Sequence, residues 1–146
     1  MNPRSTIAIA GHPVHAMLVP FVIAFYIGAF AADLAFARTL DPFFARGALW
    51  LIGAGIVASV FAATVGLIDF AAEARIRDLS AAWWHLGGNI VMSLLSILDW
   101  ILRDAVGAEA GSRGYIWLSG TVVVLLAFNG WMGGQMVYRH KVGVAD

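Results

Sequence analysis

Four stretches of this chain contain no Asp, Glu, Lys or Arg: residues 5–32, 47–68, 79–98 and 114–138. A helix of roughly 20 apolar residues crosses a hydrocarbon core about 30 Å thick, and each stretch is long enough to do so. Lipid offers no partner to a bare backbone amide, so spanning segments of this kind are helical. Charged side chains collect in the intervals 33–46, 69–78 and 99–113. With 61% hydrophobic and 12% charged residues, the chain has more apolar surface than a water-soluble fold of its length buries. The expected fold is all-α integral membrane, an antiparallel up-down four-transmembrane-helix bundle. It forms a single domain with helices at about 13–37, 43–74, 80–103 and 113–140, because short connections make consecutive helices antiparallel. No second domain, internal repeat or low-complexity tract is evident.

Punctuation supports these limits. Pro13 and Pro42 suit first-turn positions, where a missing N–H costs nothing. Asp41 is a candidate N-cap of the second helix, Asp78 or Ser80 of the third and Ser112 of the fourth. Gly143 suits a C-terminal cap. Pro20 falls inside the first span and is expected to kink it. That first stretch is also expected to remain in the mature protein, being long for a signal peptide and interrupted by Pro20. Trp83, Trp84 and Tyr138 mark one membrane interface, and Trp50, Trp100, Tyr115 and Trp117 the other. The face with both termini carries Arg4, Arg75, Arg77, Arg139 and Lys141; the other carries Arg38, Arg46, Arg103 and Arg113. Five against four places the termini on the cytoplasmic side by the positive-inside rule.

Charge and cysteine content exclude several classes. Nine basic residues balance nine acidic ones, whereas nucleic-acid binding needs a concentrated basic face. With no cysteine in the chain, disulfides, thiolate zinc, iron–sulfur clusters and covalent c-type haem are out of reach. No nucleophile elbow, phosphate-binding glycine loop or catalytic carboxylate pair is visible, so a classical enzyme is not expected.

The histidines carry the strongest chemical signal. In an up-down bundle, odd helices begin and even helices end at one membrane face. His12 and His15 begin helix one, His85 lies early in helix three, and His140 ends helix four, so all four share a face with Asp69. On helix one, His15, Val22, Tyr26 and Asp33 recur on one side. Helix two presents Gly55, Ala58, Ala62, Gly66 and Asp69, and helix three His85, Asn89, Met92 or Ser93, Ser96 and Trp100. On helix four, Asn129, Gly133 and His140 share a side, with Met136 one turn from His140. Polar residues within spans face the bundle interior, which turns the imidazoles towards one another. Asp33 and Asp99 stand at span ends on the opposite face and are expected to be solvated.

Imidazole is the commonest nitrogen ligand of metals and a standard axial ligand of haem iron. The pattern therefore predicts one or two haem b groups. His15 and His85 form the first axial pair, His12 and His140 a second pair or alternates, and Met136 an outside axial candidate. Arg75 and Arg139 are placed to meet propionates, and Gly87, Gly88, Gly130, Gly133 and Gly134 to thin the helix faces. The alternative is a non-haem iron, copper or zinc site drawing on His12, His15, His85, His140 and Asp69, with His12 and His15 three residues apart on one helix face. A third reading makes the protein a structural or partner-binding subunit, in which the end histidines are wet amphipathic residues and the small-residue stripes pack helices.

The opening GHPVHAMLVPF, the GLIDF that closes helix two and the final GGQMVYRHKVGV resemble a bacterial family of small predicted membrane proteins, known as a domain of unknown function with a Gly-His-Pro-x-His opening. The positions that carry the resemblance are Gly11, His12, Pro13, His15, Asp69, Gly133, Gly134, Tyr138, His140 and Gly143. Lys141 departs from it, since the family often has glycine after the last histidine. The resemblance implies the four-helix fold and supplies no activity. Taken together, the expectation is a b-type cytochrome of the bacterial inner membrane. It sits in the lipid bilayer, exchanges electrons with a redox partner protein or a quinone, pairs as a homodimer and has no business with nucleic acid.

Overall fold

A computed structural model describes residues 2–3, 5–109 and 112–144, with the side chains of Ser112 and Arg113 outside the description. The chain opens with a two-stranded antiparallel hairpin, β1 (Ala8–Ile9) and β2 (His12–Pro13), in which Ile9 faces His12. Long helices follow: α1 (Val14–Thr39), α2 (Pro42–Ala72), α4 (Ser80–Val106) and α5 (Ser112–Gly134). One short helix, α3 (Ala74–Arg77), joins α2 to α4, and a π-helical turn, Gln135–Arg139, extends α5. At 1.5 Å per residue, each of the four long apolar helices outreaches a hydrocarbon core of about 30 Å. The protein is an all-α, multi-pass membrane protein.

Local chemistry explains the limits. Asp41 caps α2 by accepting from Phe43 N at 2.9 Å, with Pro42 at the first helical position. Leu40 reverses the chain between α1 and α2 in a left-handed conformation. The start of α4 has no side-chain cap, its N-cap residue being Leu79 rather than Asp78 or Ser80. The proposed cap at Ser112 and the cation Arg4 lie outside the description. Pro20 is absorbed within a continuous α1. Against the expected bounds, α2 stops at Ala72 and α4 runs on to Val106.

Neighbours around the bundle are α1 with α2, α2 with α4, α4 with α5, and α5 with α1. Helices α1 and α4 therefore stand on a diagonal. Large apolar side chains such as Trp50, Phe61, Leu94, Trp117 and Val124 point outward, as lipid-facing residues do. The interior instead mixes Val22, Tyr26, Ala62, Met92, Val122 and Leu126 with buried polar groups: Asp33, Ser59, Asp69, Ser96, Asp99, Arg103, Ser119 and Asn129. The solvation of Asp33 and Asp99 expected from their place near the span ends is thus corrected. Both are at most 3% exposed, because Arg103, one turn beyond Asp99, donates to each of them inside the bundle.

A repeat is also present that residue order alone conceals. Val22, Tyr26 and Asp33 follow His15 in α1 at the same intervals as Met92, Ser96 and Arg103 follow His85 in α4. All six followers are buried. The two helical hairpins are built on one plan with different side chains.

Candidate functional site

The sequence His12-Pro13-Val14-His15 straddles an element boundary. Pro13 is extended, at φ −59° and ψ 121°, and the helix begins only after it. His12 accordingly sits in the hairpin, exposed, with its Nδ1 3.0 Å from the Ala10 carbonyl. His15 lies in the first turn of α1. The two therefore do not share a helix face, which removes the geometry expected of an i, i+3 pair.

His15 and His85 do meet. Their ring centroids are 6.2 Å apart with planes at 84°. His15 Nδ1 lies 2.8 Å from the Ala62 carbonyl of α2, and His85 Nδ1 lies 2.9 Å from the Asn129 carbonyl of α5. A carbonyl oxygen only accepts, so each Nδ1 carries a proton, and in the neutral ring Nε2 is left with the lone pair. This is the tautomer in which Nε2 is the ligating atom, oriented by the bond on the other nitrogen.

Glycines complete the seats. A Cβ on Gly66 would stand 3.0 Å from the His15 ring, and one on Gly133 would stand 3.3 Å from that of His85. Gly66 follows Ala62 by one turn, just as Gly133 follows Asn129. Each imidazole thus bonds a carbonyl and lies over the glycine one turn further along the neighbouring helix. Gly88 serves the second seat indirectly: Asn129 Oδ1 fills the space that a side chain there would occupy. That oxygen is buried without a conventional donor, and the Gly88 Cα–H is the group it faces, a weak but recurrent contact. Asn129 Nδ2 reaches Met92 Sδ at 3.9 Å. Gly87 and Gly130 are open to the outside, and Gly134 faces Tyr138. Of the five glycines expected to thin the helix faces, Gly133 alone touches an imidazole.

His140 does not join the pair. Its amide bonds the Gln135 carbonyl at 3.3 Å, the i to i−5 pattern of a π-helical turn. The extra residue in that turn rotates everything beyond it, so His140 leaves the face shared by Asn129 and Gly133. Met136 lies within the same turn, half-buried.

Asp69 has a different task. Its Oδ1 accepts from Thr6 N at 2.6 Å and Ile7 N at 3.3 Å, and its Oδ2 from Ser5 Oγ at 2.7 Å. These bonds tie the N-terminal segment across the histidine end of the bundle. Gly143, at φ +72°, donates its N–H to the Pro3 carbonyl at 2.8 Å, so both termini close over the same end. Arg75 forms a two-point pair with Glu73 at 3.0 and 2.9 Å, whereas Arg139 is exposed. Among the described residues no three His, Asp or Glu side chains come together as a metal-binding group.

At the other end, Arg103 donates to Asp33 at 2.6 and 2.7 Å and to Asp99 at 2.9 and 3.2 Å. Ser119 Oγ adds a 2.6 Å bond to Asp33, and the Tyr115 ring lies 4.5 Å beneath the guanidinium. This cluster was missed because Arg103 reads as a loop cation. The helical spacing of Ser96, Asp99 and Arg103, and of Asp33 with His15, contained the signal.

No curated protein and no solved structure matches the chain. Residues 11–146 match the family model described as predicted membrane protein (DUF2231), and the chain belongs to that family.

Proposed function

We propose that this protein is a membrane b-type cytochrome that binds one haem between His15 and His85 and passes single electrons. The observation that carries this reading is the ring pair itself. Two imidazoles opposed across one metal ion, at about 2 Å per bond, hold their centroids about 6 Å apart, close to the 6.2 Å found. Both rings are fixed in the Nε2-ligating tautomer by bonds to different helices. Porphyrin supplies four equatorial nitrogens, so two protein ligands complete its iron. A free iron, copper or zinc ion needs three or four, which makes the non-haem site the weaker reading. His12, His140, Met136 and Asp69 have no axial role in this proposal. Arg139 is the cation suited to a propionate, since Arg75 already serves Glu73.

The physiological setting follows from the same reading. The protein works in the bacterial inner membrane with cytoplasmic termini. Burial of Arg103 leaves Arg38, Arg46 and Arg113 against five cations on the histidine face, which strengthens the positive-inside assignment. Its partner is a redox protein or a quinone approaching the histidine end, and two copies associate in the bilayer. Purified protein in mild detergent should contain one haem b per chain by pyridine haemochrome assay and iron in equal amount. Stoichiometric metal without porphyrin absorption would favour the non-haem reading, and absence of both would overturn the proposal.

A further inference from the structure

At the end of the bundle opposite the histidines, the charge count does not close. Asp33, Asp99 and Arg103 have side chains 0–4% exposed, and two carboxylates against one guanidinium leave one uncompensated negative charge. An unpaired ion in a low-dielectric interior is strongly unfavourable even after relaxation, and surrounding lipid deepens the penalty. Among the described residues no other cation pairs with the cluster, and its polar neighbours include Ser119 and Tyr115 of α5, Tyr26 of α1 and Ser96 of α4. Helix α2 contributes the apolar Ile52 to the lining of the adjoining cavity.

The hydrogen bonds show where the missing charge belongs. Asp33 receives three short bonds, from Arg103 Nη1, Arg103 Nη2 and Ser119 Oγ, at 2.6, 2.7 and 2.6 Å. Those are lengths typical of an ionised acceptor. Asp99 receives two longer ones, and its Oδ2 has only a 3.2 Å share of the Nη2 that already serves Asp33. Asp99 also lines a cavity with Tyr26, Ser96 and Ser119, among others, and that cavity has about 10 Å³ of room for the centre of a water molecule. That is about the space one water needs, and the lining provides polar partners for it.

We propose that Asp99 is a proton-binding site within the transmembrane bundle, held as the neutral acid beside the Asp33–Arg103 ion pair and exchanging its proton with one water in the adjoining cavity. On release, the Asp99 carboxyl O–H bond breaks, the proton passes to water as hydronium, and the cluster goes from neutral to a charge of −1. Uptake reverses the step. The site stands on the charge count and the cavity, independently of what His15 and His85 bind.

Infrared spectroscopy of the purified protein at neutral pH tests this directly. The wild type should show one protonated-carboxyl C=O band that shifts in deuterium oxide. Asp99→Glu should move that band, whereas Asp33→Glu should leave it nearly in place. Charge counting makes a sharper demand: Asp33→Asn should abolish the band, because one carboxylate then balances Arg103. Arg103→Gln should about double it. No such band in the wild type, a band that persists in Asp99→Asn, or a stability that depends on sodium instead of pH would overturn the proposal. The wild-type spectrum decides the matter even if a variant fails to fold.

Discussion

Arg103 Nη1 stands 2.6 Å from Asp33 Oδ1, and each residue lies eighteen positions beyond one histidine of the central pair, 85 to 103 and 15 to 33. Eighteen residues are five turns of helix. The imidazoles and the ion pair therefore share one face of each helix, and two diagonal helices meet twice, at opposite ends of the membrane. One meeting pairs two imidazoles; the other is ionic. The termini close the first end through Asp69, and the bundle itself closes the second.

The ionic meeting should dominate stability at its end. Replacing Arg103 by methionine strips Asp33 of its counter-ion and both carboxyls of their shared donor, and thermal denaturation in detergent should show a loss of about 3–5 kcal/mol. Arg103→Lys should also destabilise, because an ammonium cannot reproduce the fork that reaches both carboxylates. A lysine variant as stable as wild type would contradict the geometry.

The glycine seats make a graded prediction. Gly66→Ala places a methyl 3.0 Å from a ring that Ala62 already holds, while Gly133→Ala places one at 3.3 Å. Overpacking typically costs about 1–3 kcal/mol, so Gly66→Ala should lower the melting midpoint more than Gly133→Ala. Equal effects would mean that His15 moves freely.

Much of this was legible in the sequence, and the misses have two causes. The spans, the inward face of His15, Val22, Tyr26 and Asp33, and the meeting of His15 with His85 follow from helical period and topology. Backbone irregularity displaced the two end histidines. Pro13 delays α1 and strands His12 in a hairpin, and the π-helical turn after Gly134 swings His140 aside; neither changes the apolar pattern. Depth along the helix alone makes Asp33 and Asp99 look solvated, although Asp33 lies on the interior face of α1. Register was the better guide.

Asn129 and Gly88 form a contact that substitutions can isolate. A Cβ at Gly88 would collide with Asn129 Oδ1, so Gly88→Ala should displace the buried Asn129 side chain and destabilise by about 1–3 kcal/mol. The double variant Gly88→Ala/Asn129→Ala should be more stable than the sum of the single effects, since the clash is gone. Additive losses in a thermal-denaturation cycle would place the strain elsewhere.

Asp69 should govern the N-terminal closure and leave the bundle intact. Hydrogen bonds to a charged group contribute about 1.5–3 kcal/mol, so Asp69→Asn should speed amide exchange at Thr6 and Ile7 by roughly ten- to a hundredfold. Protection in α1, α2, α4 and α5 should stay as it is. Uniform loss of protection would show that Asp69 supports the whole fold.

The pairing of His15 with His85 across one haem is tested most directly by dithionite-reduced minus oxidised spectra of the wild type and four single alanine variants. The wild type should show a reducible Soret band, lost or shifted in His15→Ala and in His85→Ala and kept in His12→Ala and His140→Ala. A colourless wild type from haem-replete cells, or a band unchanged in both His15→Ala and His85→Ala, would contradict it.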